Sequence, residues 1–154
     1  MAKREKKQHT LFHPAHLHQL PMRLAAGAFI LNSGLSKRHP SEEQLNGVHG
    51  MASGAYPTFK RMPPDQFVKL LSTSEILLGA ALLVPVVPSV LAGAGLAAFS
   101  AGLVGLYLRT PGMRREGSLR PTPSGIALAK DVWLLGIGVS LVAEEVGKTV
   151  PVCQ

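Results

Sequence analysis

Four long apolar stretches follow a polar start along this chain of 154 residues. They run over about 20–36 ("LPMRLAAGAFILNSGLS"), 66–85, 89–108 and 124–143. A helix rises about 1.5 Å per residue, so roughly 20 apolar residues cross a bilayer core. The first stretch meets that length only marginally and is interrupted by Arg23 and Asn32. The other three lack the polar face that a soluble helical bundle would need. The pattern predicts an all-α fold, an integral membrane four-helix bundle. Between the second and third stretches, "VPVVPS" sets Pro85 and Pro88 to stop one helix and start the next. That connection carries no charge and predicts a tight hairpin. Residues 37–65 and 109–123 read as polar loops, neither of them a separate domain. The expected organisation is a basic, His-rich arm over 1–19, a membrane domain over 20–143 and a short tail over 144–154.

Composition supports this picture. Hydrophobic residues make up 46% and charged residues 16%, against about 25% charge in ordinary soluble domains. The net charge of +7 raises the question of nucleic acid, but aromatics are only 5% and the basic residues sit in short clusters between apolar runs. Loop charges flanking membrane spans account for the same balance, so the expected partner is the lipid bilayer and not nucleic acid. The single cysteine, Cys153, excludes an intramolecular disulfide, a CxxC redox motif and a Cys-based zinc site. The start "MAKREKKQHT" is followed by His and Pro, without the apolar core and cleavage site of a signal peptide.

Charges inside the apolar stretches are the chemically interesting feature. Lys130 and Asp131 interrupt "GIALAKDVWLLGIGVSLV", and Glu75 interrupts the second stretch. A charge at mid-membrane costs roughly 2.5–3.5 kcal/mol, and each Leu, Ile or Val offsets only about 0.3–0.6. Such groups therefore need partners or a role. Four spans place both termini on one side and both long loops on the other. Counted from the loop side, Glu75, Lys130, Asp131, Asn32 with Ser33, and Tyr107 fall at overlapping depths in one leaflet. Adjacent helical residues point about 100° apart, so Lys130 and Asp131 cannot pair with each other. The expected pairs are Lys130 with Glu75, and Asp131 with Asn32, Tyr107 or Lys37. Two readings of this cluster stand side by side: a structural salt bridge, with Lys130 snorkelling to the interface, or a site for a polar ligand, a quinone head group or protons.

Other candidates are weaker. His9, His13, His16 and His18 have spacings compatible with a metal or haem, but no carboxylate or thiolate lies nearby in sequence. An interfacial arm explains them as well. His39 and His49 fall in the first long loop and are expected to be solvated, with His49 also a candidate to border the polar cluster. Gly93, Ala97, Ala101 and Gly105 form a small-residue stripe suited to close helix packing. No phosphate-binding Gly loop, nucleophile elbow or HExxH motif is present.

The segments "RLAAGAFILNSGLSK", "SEILLGAALLVP" and "LAKDVWLL" together resemble the DoxX family of small four-helix bacterial membrane proteins. The resemblance covers residues 20–143. It rests on Arg23 opening the first span, Gly34 and Lys37 closing it, and Glu75 with Gly79 in the second; the Lys130–Asp131 pair is similar to one in actinobacterial relatives. It implies a place in the bacterial inner membrane and a role as a non-autonomous subunit beside other membrane proteins. Relatives are linked to quinone-reactive sulfur oxidation or to scaffolding redox partners in oxidative-stress defence. A thiol-redox role is not expected, because no cysteine lies in the spans. A quinone is the cofactor the resemblance suggests. A purely anchoring subunit and a small-solute or proton transporter are the competing classes. Basic residues are more numerous on the long-loop side, yet the basic N-terminal arm opposes translocation, so charge leaves the orientation open.

Overall fold

The computed structural model describes residues 14–149. Its long helices are α1 (Leu20–Ser36), α2 (Glu42–Ala55), α3 (Pro64–Leu83), α4 (Ser89–Arg109), the short α5 (Ile126–Ala129) and α6 (Asp131–Thr149). Among the described residues there is no β-strand, only an isolated bridge between Arg114 and Pro121. Helices α5 and α6 are separated only at Lys130, which keeps a right-handed helical conformation, so the two act as nearly one rod. Three segments are long and apolar enough to cross a membrane: Pro64–Leu83, Ser89–Arg109 and Pro123–Lys148. At 17 residues α1 falls just short of them, as its interruptions foreshadowed.

Two predicted boundaries change. The segment 37–65, expected as a loop, contains the 14-residue α2 and a 3-10 turn over Pro57–Arg61. A capping box starts α2: Ser41 Oγ accepts the Gln44 N–H, and Gln44 Oε1 accepts the Ser41 N–H. Its apolar side (Leu45, Val48, Ala52) packs on Phe67 and Val68 of α3. The last span does not end near 143; α6 continues to Thr149, where Glu144, Glu145 and Lys148 find partners.

The four long rods are arranged as two close pairs. Helix α1 lies along α3, and α4 along α6, while α3 and α4 pack far less extensively than the expected tight hairpin. Glycine explains the pairing. A Cβ added at Gly79 would stand 2.6 Å from the Leu31 nitrogen, and one at Gly138 would stand 2.5 Å from the Ala97 nitrogen. Each pair thus brings backbone against backbone, the contact that small residues permit in membrane helices. The α4 stripe is used only in part for this purpose. Gly93 and Ala97 meet α6, whereas Ala101 is exposed and Gly105 faces the Tyr56 hydroxyl of the segment after α2. Ala26, Ile30, Leu82, Ala92, Leu96, Leu134 and Leu141 form a common core between the pairs.

The terminal end of the bundle is closed by polar bonds. Arg23 is 0% exposed, and its guanidinium donates to the carbonyls of Ala81, Leu82, Val84 and Val87 and to Ser89 Oγ at 2.8–2.9 Å. The Ala81 and Leu82 carbonyls lie in the last turn of α3, and those of Val84, which also accepts the Val87 N–H, and Val87 lie in the turn that follows, where a cation is favoured. Arg23, met in the sequence as an interruption of the first span, is therefore the cap that fixes the α3–α4 turn.

Candidate functional site

The loop-side half of the space between the two pairs remains open. A cavity of about 730 Å³ lies there, bounded by α1, α2, α3, α4 and the α5–α6 rod. Phe29, Phe67, Phe99, Leu103 and Leu106 supply an apolar wall; Ser33, Lys37, Glu75 and Asp131 supply one polar side, and Ser41, Glu43 and Gln44 supply another at the start of α2. Its size falls in the range of about 300–1,000 Å³ typical of ligand pockets. Beside it, a groove of about 290 Å³ runs between α1 and the α5–α6 rod, bordered by Ala25, Phe29, Trp133 and Ile137, with Lys130 at its edge. Phe29, Ala127 and Asp131 border both spaces. Asp131 thus stands at the junction between the inner cavity and a groove on the outer, apolar surface.

Glu75, 4% exposed, is paired with Lys37 and not with Lys130. Lys37 Nζ donates to Glu75 Oε2 at 2.9 Å and Oε1 at 3.1 Å, and also to Ser33 Oγ at 2.7 Å. Ser33 Oγ in turn donates to Glu75 Oε1 at 3.3 Å. The expected Lys130–Glu75 pair fails because Lys130 occupies the break between α5 and α6, with its side chain exposed. Lys37, one residue past α1, is carried to Glu75 because α1 and α3 run so close together: a Cβ at Gly34 would stand 2.9 Å from the Cβ of Glu75.

Asp131 is 9% exposed and has no hydrogen-bonding or ion-pairing side chain among the described residues. The Glu75 carboxylate acts on it electrostatically. None of the partners expected for it is available. Asn32 is exposed, Lys37 is taken by Glu75, and Tyr107, though buried, donates its hydroxyl to the Leu119 carbonyl at 2.8 Å. Tyr107 therefore ties down the 109–123 loop. Of the expected cluster, Glu75, Lys37 and Asp131 meet at one cavity; Lys130, Asn32 and Tyr107 do not border it.

The histidine expectations also change. His9 and His13 lie outside the described residues. His18 Nε2 lies 2.5 Å from Glu144 Oε1, and His16 Nε2 lies 3.6 Å from Glu145 Oε1. Carboxylates absent from the neighbouring sequence are thus supplied by the end of α6. Among the described residues no group of three or more His, Cys, Asp or Glu is disposed to hold a metal ion. His49 Nε2 contacts the Phe59 carbonyl at 3.0 Å, and its ring packs edge-on against Phe67, away from the Glu75 pair; His39 is exposed.

The structure adds a second polar group that the linear pattern does not show. Gln19 is fully buried, accepts from Ser89 Oγ at 2.6 Å and donates to Glu145 at 2.9 Å. Lys148 completes the group with bonds to Glu144 and Glu145. The available signal was a spacing: Glu144, Glu145 and Lys148 share one helical side if α6 is extended past 143. Arg23, Ser89, Gln19 and Glu145 are joined in one chain of hydrogen bonds across the terminal end. No family model, no curated protein and no solved structure matches this chain.

Proposed function

We propose that this chain is a multi-pass protein of the bacterial cytoplasmic membrane, of DoxX type, in which α1, α3, α4 and the α5–α6 rod form a four-helix membrane bundle. In this reading it is a non-autonomous subunit of an oxidoreductase or redox-defence assembly, and its cavity takes a lipid-soluble ligand with a polar head, a quinone being the leading candidate. One observation carries the ligand reading: Asp131, buried and unpartnered, lies where an apolar cavity with one ion pair joins a groove on the apolar surface. Unpaired ionisable groups in such surroundings are costly, and they are kept where they meet a ligand, a proton or an ion. The groove between α1 and the α5–α6 rod offers an apolar tail a way in from the bilayer. In this reading electrons come from a partner subunit.

A purely anchoring subunit is the second reading. It is favoured by the Lys37–Glu75 pair and the Arg23 cap, both of which are satisfied within the chain. Gentle detergent extraction followed by mass spectrometry of co-purifying lipids and proteins separates the two. The ligand reading expects a quinone-type lipid and a redox protein to be retained. Retention of protein partners with only ordinary phospholipid would favour the anchoring reading.

A further inference from the structure

We propose that the cavity selects the hydroxyl-bearing, reduced form of a quinone-type head group over its carbonyl form, and that Asp131 makes the selection. This inference rests on the reading of the cavity as a quinone-type site and adds which redox form it holds.

Donors and acceptors are unequally used on the polar side of the cavity that holds Asp131. An ammonium group has three hydrogens to donate, and a hydroxyl has one. Lys37 Nζ already faces four acceptors: both Glu75 oxygens, Ser33 Oγ and the Ser33 carbonyl at 3.1 Å. The one Ser33 hydroxyl hydrogen is directed to Glu75 Oε1. These internal bonds use the donors of Lys37 and Ser33. Ser41 and Gln44 on the α2 side of the cavity, and Lys130 on the adjoining groove, can donate to the oxygen of either redox form, and Glu43 is exposed to solvent. The buried group that only accepts is the Asp131 carboxylate, to which no described side chain donates.

An ionised carboxylate only accepts hydrogen bonds. A quinone carbonyl also only accepts, so placing one against Asp131 sets two acceptors face to face. A hydroquinone hydroxyl supplies the missing donor, and a hydrogen bond to a carboxylate is among the stronger kinds. Phe29, Phe99 and Leu103 offer the ring apolar contact that does not depend on its redox state. Discrimination therefore falls on Asp131. Changing it to Asn provides both a donor and an acceptor at nearly the same size, which suits either form.

The test uses the full chain in lipid nanodiscs, under anaerobic conditions, with three probes: a decyl-substituted benzoquinone, the same compound held reduced, and decylamine. Equilibrium binding of the hydroquinone is expected to be about tenfold tighter than that of the quinone, the scale of one hydrogen bond to a charged group. Asp131→Asn is expected to bring that ratio near one, chiefly by improving quinone binding. If the wild type binds both forms equally, or the quinone more tightly, the redox selection is wrong while the cavity reading survives. If neither form binds, the quinone-type reading falls and this inference with it. Decylamine binding more tightly than the hydroquinone would show a site for cations and overturn the proposal. A ratio unchanged by Asp131→Asn would remove Asp131 from the selection. The wild-type ratio is decisive on its own if the variant does not fold.

Discussion

At the residue scale, two cations of this chain have circumstances opposite to those the sequence suggests. Arg23 looks like a flaw in a weak span, yet its donors are all directed to acceptors at the end of α3 and in the α3–α4 turn. Lysine is not an equivalent residue there, since it has three donors and lacks the planar fork. Arg23→Lys is expected to lower unfolding stability in detergent by about 2–4 kcal/mol, because buried carbonyls lose their partners. Lys148→Gln, at a more exposed ion pair, is expected to cost less than about 1 kcal/mol. Equal melting of Arg23→Lys and the wild type would show that the cap is dispensable. Lys130, in contrast, attracts attention in the sequence and is exposed in the structure. Residue type and depth sufficed to single out Glu75 and Asp131. Pairing depends on which helices are neighbours, and that was not legible from hydropathy.

At the element scale, the apolar stretches and the prolines of "VPVVPS" were enough to locate α1, α3, α4 and the start of the final rod to within a few residues, while the end of that rod lies past the expected 143, at Thr149. Helix α2 was missed because Gly47, Gly50 and Gly54 make its composition loop-like. The capping box at Ser41 and Gln44 was the available signal. The expected α3–α4 hairpin failed for a related reason. A short apolar turn sets two helices next to each other in sequence, but glycine positions decide which backbones meet. These two kinds of glycine should respond oppositely to substitution. Gly79→Leu would drive a side chain into the Leu31 backbone and is expected to cost about 3 kcal/mol or more. A Cβ at Gly50 meets nothing within 4 Å, so Gly50→Ala is expected to stabilise by about 0.5–1 kcal/mol through α2. Thermal unfolding of the two variants in the same detergent checks both signs.

At the scale of the whole molecule, two glycine-locked helix pairs are clasped at one end by the Arg23–Ser89–Gln19–Glu145 chain and separated at the other by a cavity. A four-span arrangement places the α2 segment and the 109–123 loop on one side and the α3–α4 turn on the other. In a Cys153→Ser background, cysteines at Asn46 and Ser118 are expected to react with an impermeant maleimide from the same side of sealed vesicles. A cysteine at Val86, an exposed turn position, is expected to react only from the opposite side. Labelling of all three from one side would contradict the arrangement.

Blocking the space around Asp131 decides whether it holds a lipid-soluble ligand. Ala127 borders both the inner cavity and the outer groove, so Ala127→Trp should fill their junction without touching the Lys37–Glu75 pair. The measurement is equilibrium binding of the decyl-substituted hydroquinone to wild type and Ala127→Trp in nanodiscs, with unfolding followed in parallel. Saturable binding to the wild type is expected, and its loss in a variant that melts within a few degrees of it. Undiminished binding to the blocked variant, or no saturable binding to the wild type, would contradict that expectation.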